Sequence, residues 1–82
     1  MIYMNDNITY LLVSCMPSKE KVVHNDIVHA GGRLIKEMHF IAGEFDYLVK
    51  LCGTKKEVNK VVRTIYKSKN VLNVKVLNVY SM

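Results

Sequence analysis

The run Arg33-Leu-Ile-Lys-Glu-Met-His-Phe-Ile-Ala-Gly-Glu-Phe-Asp-Tyr-Leu-Val-Lys-Leu-Cys52 reads as two strands about a Gly-acid pair. Leu34, Lys36, Met38, Phe40 and Ala42 share one side, and Ile35, Glu37, His39 and Ile41 the other. That is the period of two of an extended chain, and it predicts a strand over Arg33–Ala42. A further strand is predicted over Phe45–Cys52, with Tyr47, Val49 and Leu51 opposing Leu48 and Cys52. Gly43-Glu44 between them predicts a tight hairpin turn, with Gly at the position that needs positive φ.

Downstream, Thr54-Lys-Lys-Glu57 is a capping box, in which Thr54 and Glu57 satisfy two otherwise orphan N–H groups at a helix start. Val58, Val61, Val62, Ile65 and Tyr66 then form a helical stripe, with Lys56, Lys60, Arg63 and Lys67 on the opposite face. Lys69-Asn70 ends that helix, and the Val-rich run Val71–Tyr80 predicts a last strand.

Upstream, Ile8–Met16 alternates apolar residues on both faces: Ile8, Tyr10 and Leu12 on one, Leu11, Val13 and Cys15 on the other. This predicts a central strand, stopped by Met16-Pro17-Ser18, with Ser18 as N-cap of the next helix. Residues 19–30 read as that helix, with Val23, Ile27 and Ala30 on one face, ended by Gly31-Gly32. Residues 1–6 are expected to fray.

The order is β-α-β-β-α-β. Two crossovers and one hairpin predict an α+β, ferredoxin-like domain: a four-stranded antiparallel sheet in the order 4-1-3-2, both helices on one face. Residues 1–82 make a single domain. Helices on one face leave the other open, and apolar residues fall on both faces of several strands. A patch of that size calls for cover, and a second copy of the chain is the simplest cover. Tyr10, Leu12, Tyr47 and Val49, or their opposite-parity neighbours, are the expected homodimer contacts.

Half the residues are hydrophobic and 23% are charged, which excludes a disordered chain. No apolar stretch reaches bilayer length and Met1–Asp6 lacks signal-peptide features, so a cytoplasmic protein without membrane contact is expected. Cys15 and Cys52 lack CxxC spacing and read as small buried hydrophobes.

The net charge of +5 is uneven: residues 1–46 carry four bases and six acids, residues 47–82 eight bases and one acid. The Lys56/Lys60/Arg63/Lys67 stripe makes a small basic nucleic-acid-binding protein the alternative from another class. It carries no base-reading element, so direct nucleic-acid binding is expected to be weak and salt-sensitive at most.

Enzyme readings find no support. The serines lack nucleophile-elbow glycines, and Gly31-Gly32 follows a helix where a phosphate loop would open one. His24 and His29 are five apart, off a common helix face, so no metal is expected; nor is any cofactor.

The stretch Glu37-Met-His-Phe-Ile-Ala-Gly-Glu-Phe-Asp-Tyr-Leu-Val-Lys-Leu51 resembles the C-terminal effector domain of the Lrp/AsnC (feast/famine) transcription regulators. That domain is also called RAM and is related to ACT domains. Glu37 and His39 match the family's first acid and His; Gly43, Glu44, Phe45, Asp46 and Tyr47 match its turn and exit; Leu48 and Lys50 match its strand. Met38 stands where the family usually has Cys, Ala42 where it has Thr, and Val76 where it often has a ligand-holding Thr.

The resemblance covers nearly the whole chain. It implies a stand-alone ligand-sensing and oligomerisation module that regulates transcription or metabolism through a partner, possessing no enzyme activity. The implied effector is an amino acid, bound where dimers meet at the hairpin turns, by Ala42, Gly43, Glu44, Phe45, Asp46 and Val76. Implied partners are a homodimer, a higher oligomer of dimers, and a full-length Lrp/AsnC regulator. In this reading Asp46 accepts the effector's ammonium group, and backbone N–H groups around Gly43 face its carboxylate. An oligomerisation module without ligand is the remaining alternative.

Overall fold

A computed structural model describes residues 7–79. Strand β1 (Asn7–Cys15) leads to helix α1 (Glu20–Gly31), a 3-10 turn (Gly32–Leu34), strands β2 (Ile35–Phe40) and β3 (Tyr47–Gly53), helix α2 (Lys55–Tyr66) and strand β4 (Val71–Asn78). The sheet is four-stranded and antiparallel in the order β2-β3-β1-β4, as expected for a ferredoxin-like fold. Expectations for residues 1–6 and for Tyr80 fall outside the described residues.

α2 forms as its sequence dictates. The Thr54 hydroxyl accepts the Glu57 N–H at 3.2 Å, and the Glu57 carboxylate accepts the Thr54 N–H at 2.9 Å. Val58, Val61 and Ile65 are then buried on the sheet. Each side chain removed from water this way contributes about 1.5–3 kcal/mol.

α1 departs from expectation at its start. Lys19 is its N-cap and makes no side-chain cap, so Ser18 does not cap the helix. Pro17 opens a turn closed by Lys19 N–H to Met16 C=O at 3.1 Å, and Ser18 sits in it at φ 72°. Left-handed geometry at the third position is the mark of a type II turn, and it takes Ser18 out of the extended conformation that an N-cap residue adopts. Gly32 at φ 49° ends α1, and the 3-10 turn takes up Arg33 and Leu34, so β2 starts later than expected.

The inter-strand register decides the faces. Leu11 pairs with Val49 and Val76, and Val13 with Tyr47 and Val74. These odd-numbered β1 residues and their β3 partners lie under the helices with Val23, Ile27, Val58, Val61 and Ile65. Tyr10 pairs with Lys50 and Leu77, and Leu12 with Leu48 and Lys75, on the open face. Tyr10 and Leu12 therefore do not share a face with Tyr47 and Val49, which are 4% and 0% exposed in the core. The open-face neighbours of Tyr10 and Leu12 on β3 are Leu48 and Lys50.

In β2 the register shifts between Ile35 and Glu37. Ile35 opposes Leu51 and Glu37 opposes Lys50, so Lys36 is interposed and the expected unbroken alternation through β2 is interrupted.

Candidate effector site

The β2–β3 connection is wider than the expected two-residue turn. Ile41 N–H donates to Asp46 C=O at 2.8 Å, which closes a loop holding Ala42, Gly43, Glu44 and Phe45. Phe45 is therefore in the loop, and β3 begins at Tyr47. Gly43 adopts φ 123°, with open space where a Cβ would stand, so the backbone conformation alone makes glycine fit there.

Asp46 pins the loop to the sheet. Its N–H donates to Val13 C=O at 2.9 Å, and its Oδ2 accepts the Cys15 N–H at 2.8 Å. The side chain thus replaces a backbone carbonyl where the β1–β3 ladder runs out. Among the described residues, its Oδ1 has no hydrogen-bond partner, and neither do the N–H groups of Ala42, Gly43, Glu44 and Phe45. The loop presents a set of free donors beside a half-buried carboxylate, the complement of a zwitterion.

A small cluster supports this end of the sheet. Tyr47 packs its ring against Phe40 at 5.3 Å and His24 at 6.0 Å between centroids. Its hydroxyl donates to the Glu20 carbonyl at 2.9 Å, which ties α1 to β3. Burial, with Cys15, Glu20 and Asp46 nearby, raises the Tyr47 phenol above its ordinary range. Burial first, and then the Asp46 carboxylate, push the Cys15 thiol up to about 11. Cys15 is thus a protonated packing group at neutral pH, not a nucleophile. The sequence offered no sign of the Cys15–Asp46 link, because a backbone N–H has no residue signature.

Val76 lies elsewhere. It faces Leu11 on β4, and β1 separates it from the β2–β3 loop within one chain. It lines a cavity of about 160 Å³ with Thr9, Lys55, Val58, Asn59, Asn78 and Val79. The Thr9 hydroxyl donates to Asn78 Oδ1 there at 3.3 Å. A single chain does not bring Val76 to the loop residues.

On the open face, Glu37 lies 3.2 Å from His39 Nε2 and 3.6 Å from Lys50 Nζ. The His39 hydrogen bond, and then Lys50, hold the Glu37 carboxyl below its usual range. His39, opposite Leu48, is therefore an open-face residue. Cys52 is on this open face opposite Ile8, whereas Cys15 is buried under the helices; both are free thiols. Among the described residues, no three His, Cys, Asp or Glu side chains are placed to hold a metal. No helix of the described residues is long and apolar enough to cross a membrane.

No protein-family model and no curated protein matches the sequence. Solved structures do. FFRP-DM1 is 20% identical with a TM-score of 0.78, over 90% of this chain and 99% of its own. AsnC from E. coli is 10% identical with a TM-score of 0.78, over 95% of this chain and 53% of its own. A transcriptional regulator from Neisseria meningitidis, in complex with L-Met, is 18% identical with a TM-score of 0.70, over 92% of this chain and 50% of its own. This chain thus spans about half the length of the latter two. Regulators of the Lrp/AsnC type share its βαββαβ fold, as the motif at Glu37–Leu51 implied, and at 10–20% identity the likeness is one of fold.

Proposed function

We propose that the protein is a cytoplasmic ligand-sensing and oligomerisation module, without enzyme activity, that binds an amino acid at its β2–β3 loop and acts through a partner regulator. The observation that carries this reading is the loop itself: four N–H groups that have no hydrogen-bond partner among the described residues, beside the Asp46 Oδ1, which has none there either. The L-Met bound by the Neisseria regulator supports an amino acid as ligand class and makes methionine the first to try. Because Val76 is held away from the loop within a chain, a site that uses both needs a second chain. The open face supports a dimer through Ile8, Tyr10, Leu12, Leu48 and Leu77.

A thermal-shift screen of the twenty amino acids tests the ligand. A binder at 100 times its Kd adds about 2.7 kcal/mol of stability. No stabilisation by any of them, or binding by Asp46→Asn as tight as wild type, overturns the effector site and leaves an oligomerisation module. For the dimer, Leu12→Glu is expected to give monomers in sedimentation equilibrium; a variant that stays dimeric removes the open face as the interface.

A second reading rests on α2. Among the described residues, Lys56, Lys60, Arg63 and Lys67 have no acidic partner within 4 Å. Nanomolar, sequence-specific nucleic-acid binding at physiological salt would favour this reading; weak binding that vanishes with salt would not.

A further inference from the structure

The two edges of the sheet are built differently. At one edge, β2 is six residues long, carries Lys36, Glu37 and His39, and is broken by the register shift at Lys36. Shortness, charge and a bulge are the means by which proteins keep an edge from pairing. At the other edge, β4 has eight residues with Lys75 as its one charge. Its irregularity is confined to the Leu72 end, and Asn73–Asn78 pairs regularly with β1. Leu72, Val76 and Leu77 stand 62%, 40% and 40% exposed.

Among the described residues, no strand pairs with the outer side of β4. Val79 N–H donates to Ile8 C=O at 3.1 Å. In an antiparallel ladder, alternate residues point their polar groups toward the neighbour. Leu77, Lys75 and Asn73 therefore bond to β1, and Asn78, Val76 and Val74 direct their N–H and C=O groups outward. Packing two open faces together does not satisfy that outward row, because a face contact runs perpendicular to it.

We propose that β4 pairs edge to edge with β4 of a second copy, about a two-fold axis at Val76, to make one continuous eight-stranded sheet. This contact goes beyond the open-face dimer and is separate from it. The charge pattern selects the register. With the axis at Val76, Val76 opposes Val76, Val74 opposes Asn78, and Lys75 opposes Leu77 of the other chain. With the axis at Lys75, the two Lys75 ammonium groups would stand opposite each other, a destabilising arrangement. With the axis at Val74 or at Leu77, only three residues of the regular segment Asn73–Asn78 oppose one another, against five with the axis at Val76. The pairing closes on itself, since the blunted β2 edge offers no equivalent surface to extend it.

Val76→Pro isolates this contact. Proline removes an outward N–H and leaves the bonds to β1, a position at which a sheet tolerates it. Amide exchange is read by NMR on wild type and variant, with isotope-filtered NOEs on mixed labelled and unlabelled wild-type chains. Expected are an NOE from Lys75 of one chain to Leu77 of the other, and Val74 and Asn78 amides exchanging about tenfold or more faster in Val76→Pro. The Asn73, Lys75 and Leu77 amides should stay protected in the variant, which reports an intact fold. Wild-type Val74 and Asn78 amides that exchange freely, or that are protected without an interchain NOE, overturn the proposal. Should Val76→Pro fail to fold, the wild-type NOE decides alone. Loss of the open-face dimer in Leu12→Glu leaves these readouts in place, so failure of one contact is distinct from failure of the other.

Discussion

The Asp46 carboxylate accepts the Cys15 N–H at 2.8 Å, so a side chain from the β2–β3 loop completes the ladder at the end of β1. The same residue supplies its own N–H to Val13. One residue thus holds the candidate site in shape, and in the proposed function its second oxygen receives the ligand. Architecture and chemistry at Asp46 are separable by substitution.

Asp46→Ala removes the acceptor and leaves the N–H of the buried Cys15 without that partner. A hydrogen bond to a charged group contributes about 1.5–3 kcal/mol, and a loss toward the lower end is expected in urea unfolding. Asp46→Asn keeps an amide oxygen for Cys15 and should lose about half as much or less. The same variant cannot neutralise an ammonium group, so amino-acid binding is expected to vanish in calorimetry while the fold persists.

Gly43→Val tests the backbone of the loop. Space around the position is open, yet φ is 123°, a region that β-branched residues resist. A cost of about 1–3 kcal/mol is expected from strain alone. Gly43→Ala should fall at the low end of that range. Equal stability of Gly43→Val and wild type would mean that the loop relaxes to another conformation, visible as shifted amide resonances for Ala42–Phe45.

Alkaline pH should weaken the fold through Cys15. Its pKa stands raised from 9.0 to about 11 in the folded chain, so the folded state holds a proton that the unfolded state has released. The stabilisation is complete below pH 9 and is lost as pH rises toward 11, at about 1.4 kcal/mol per pKa unit. Tyr47 is shifted in the same direction and adds to the loss. Cys15→Ala should flatten the decline between pH 9 and 11 in denaturant titrations; an unchanged slope would assign it to other groups.

The start of α2 is a separate stability test. Thr54→Ala removes the hydroxyl that accepts the Glu57 N–H and should cost about 1 kcal/mol, within the usual range of 0.5–2 for a lost N-cap. Glu57 is held below its ordinary range, first by the Thr54 N–H and then by the Thr54 hydroxyl and Arg33. Its contribution is present above the unfolded pKa and fades as pH falls through the lower folded value. Thr54→Ala should therefore lose part of the acid sensitivity of wild type, measured as the shift of the unfolding midpoint between pH 6 and 3.

Local signals carried much of this architecture. The capping box at Thr54 and the stripe from Val58 to Ile65 specify α2 within one contiguous segment, and the period-two runs, the Gly31-Gly32 pair that ends α1 and Gly43-Glu44 between β2 and β3 set the order of elements. The right-handed crossover rule then leaves few sheet topologies, and β2-β3-β1-β4 is the one adopted. Tertiary contacts decided what segments cannot carry in themselves. β1 is apolar on both sides, Ile8, Tyr10 and Leu12 against Leu11, Val13 and Cys15, so its own pattern does not say which side meets the helices. The register of Val13 with Tyr47 settles that, and a one-residue slip would reverse every assignment. Ser18 turned out of its cap because Pro17 and the Met16–Lys19 turn dictate its backbone. The role of Asp46 likewise depends on a backbone N–H thirty-one residues away, a partner that only the folded chain brings within reach.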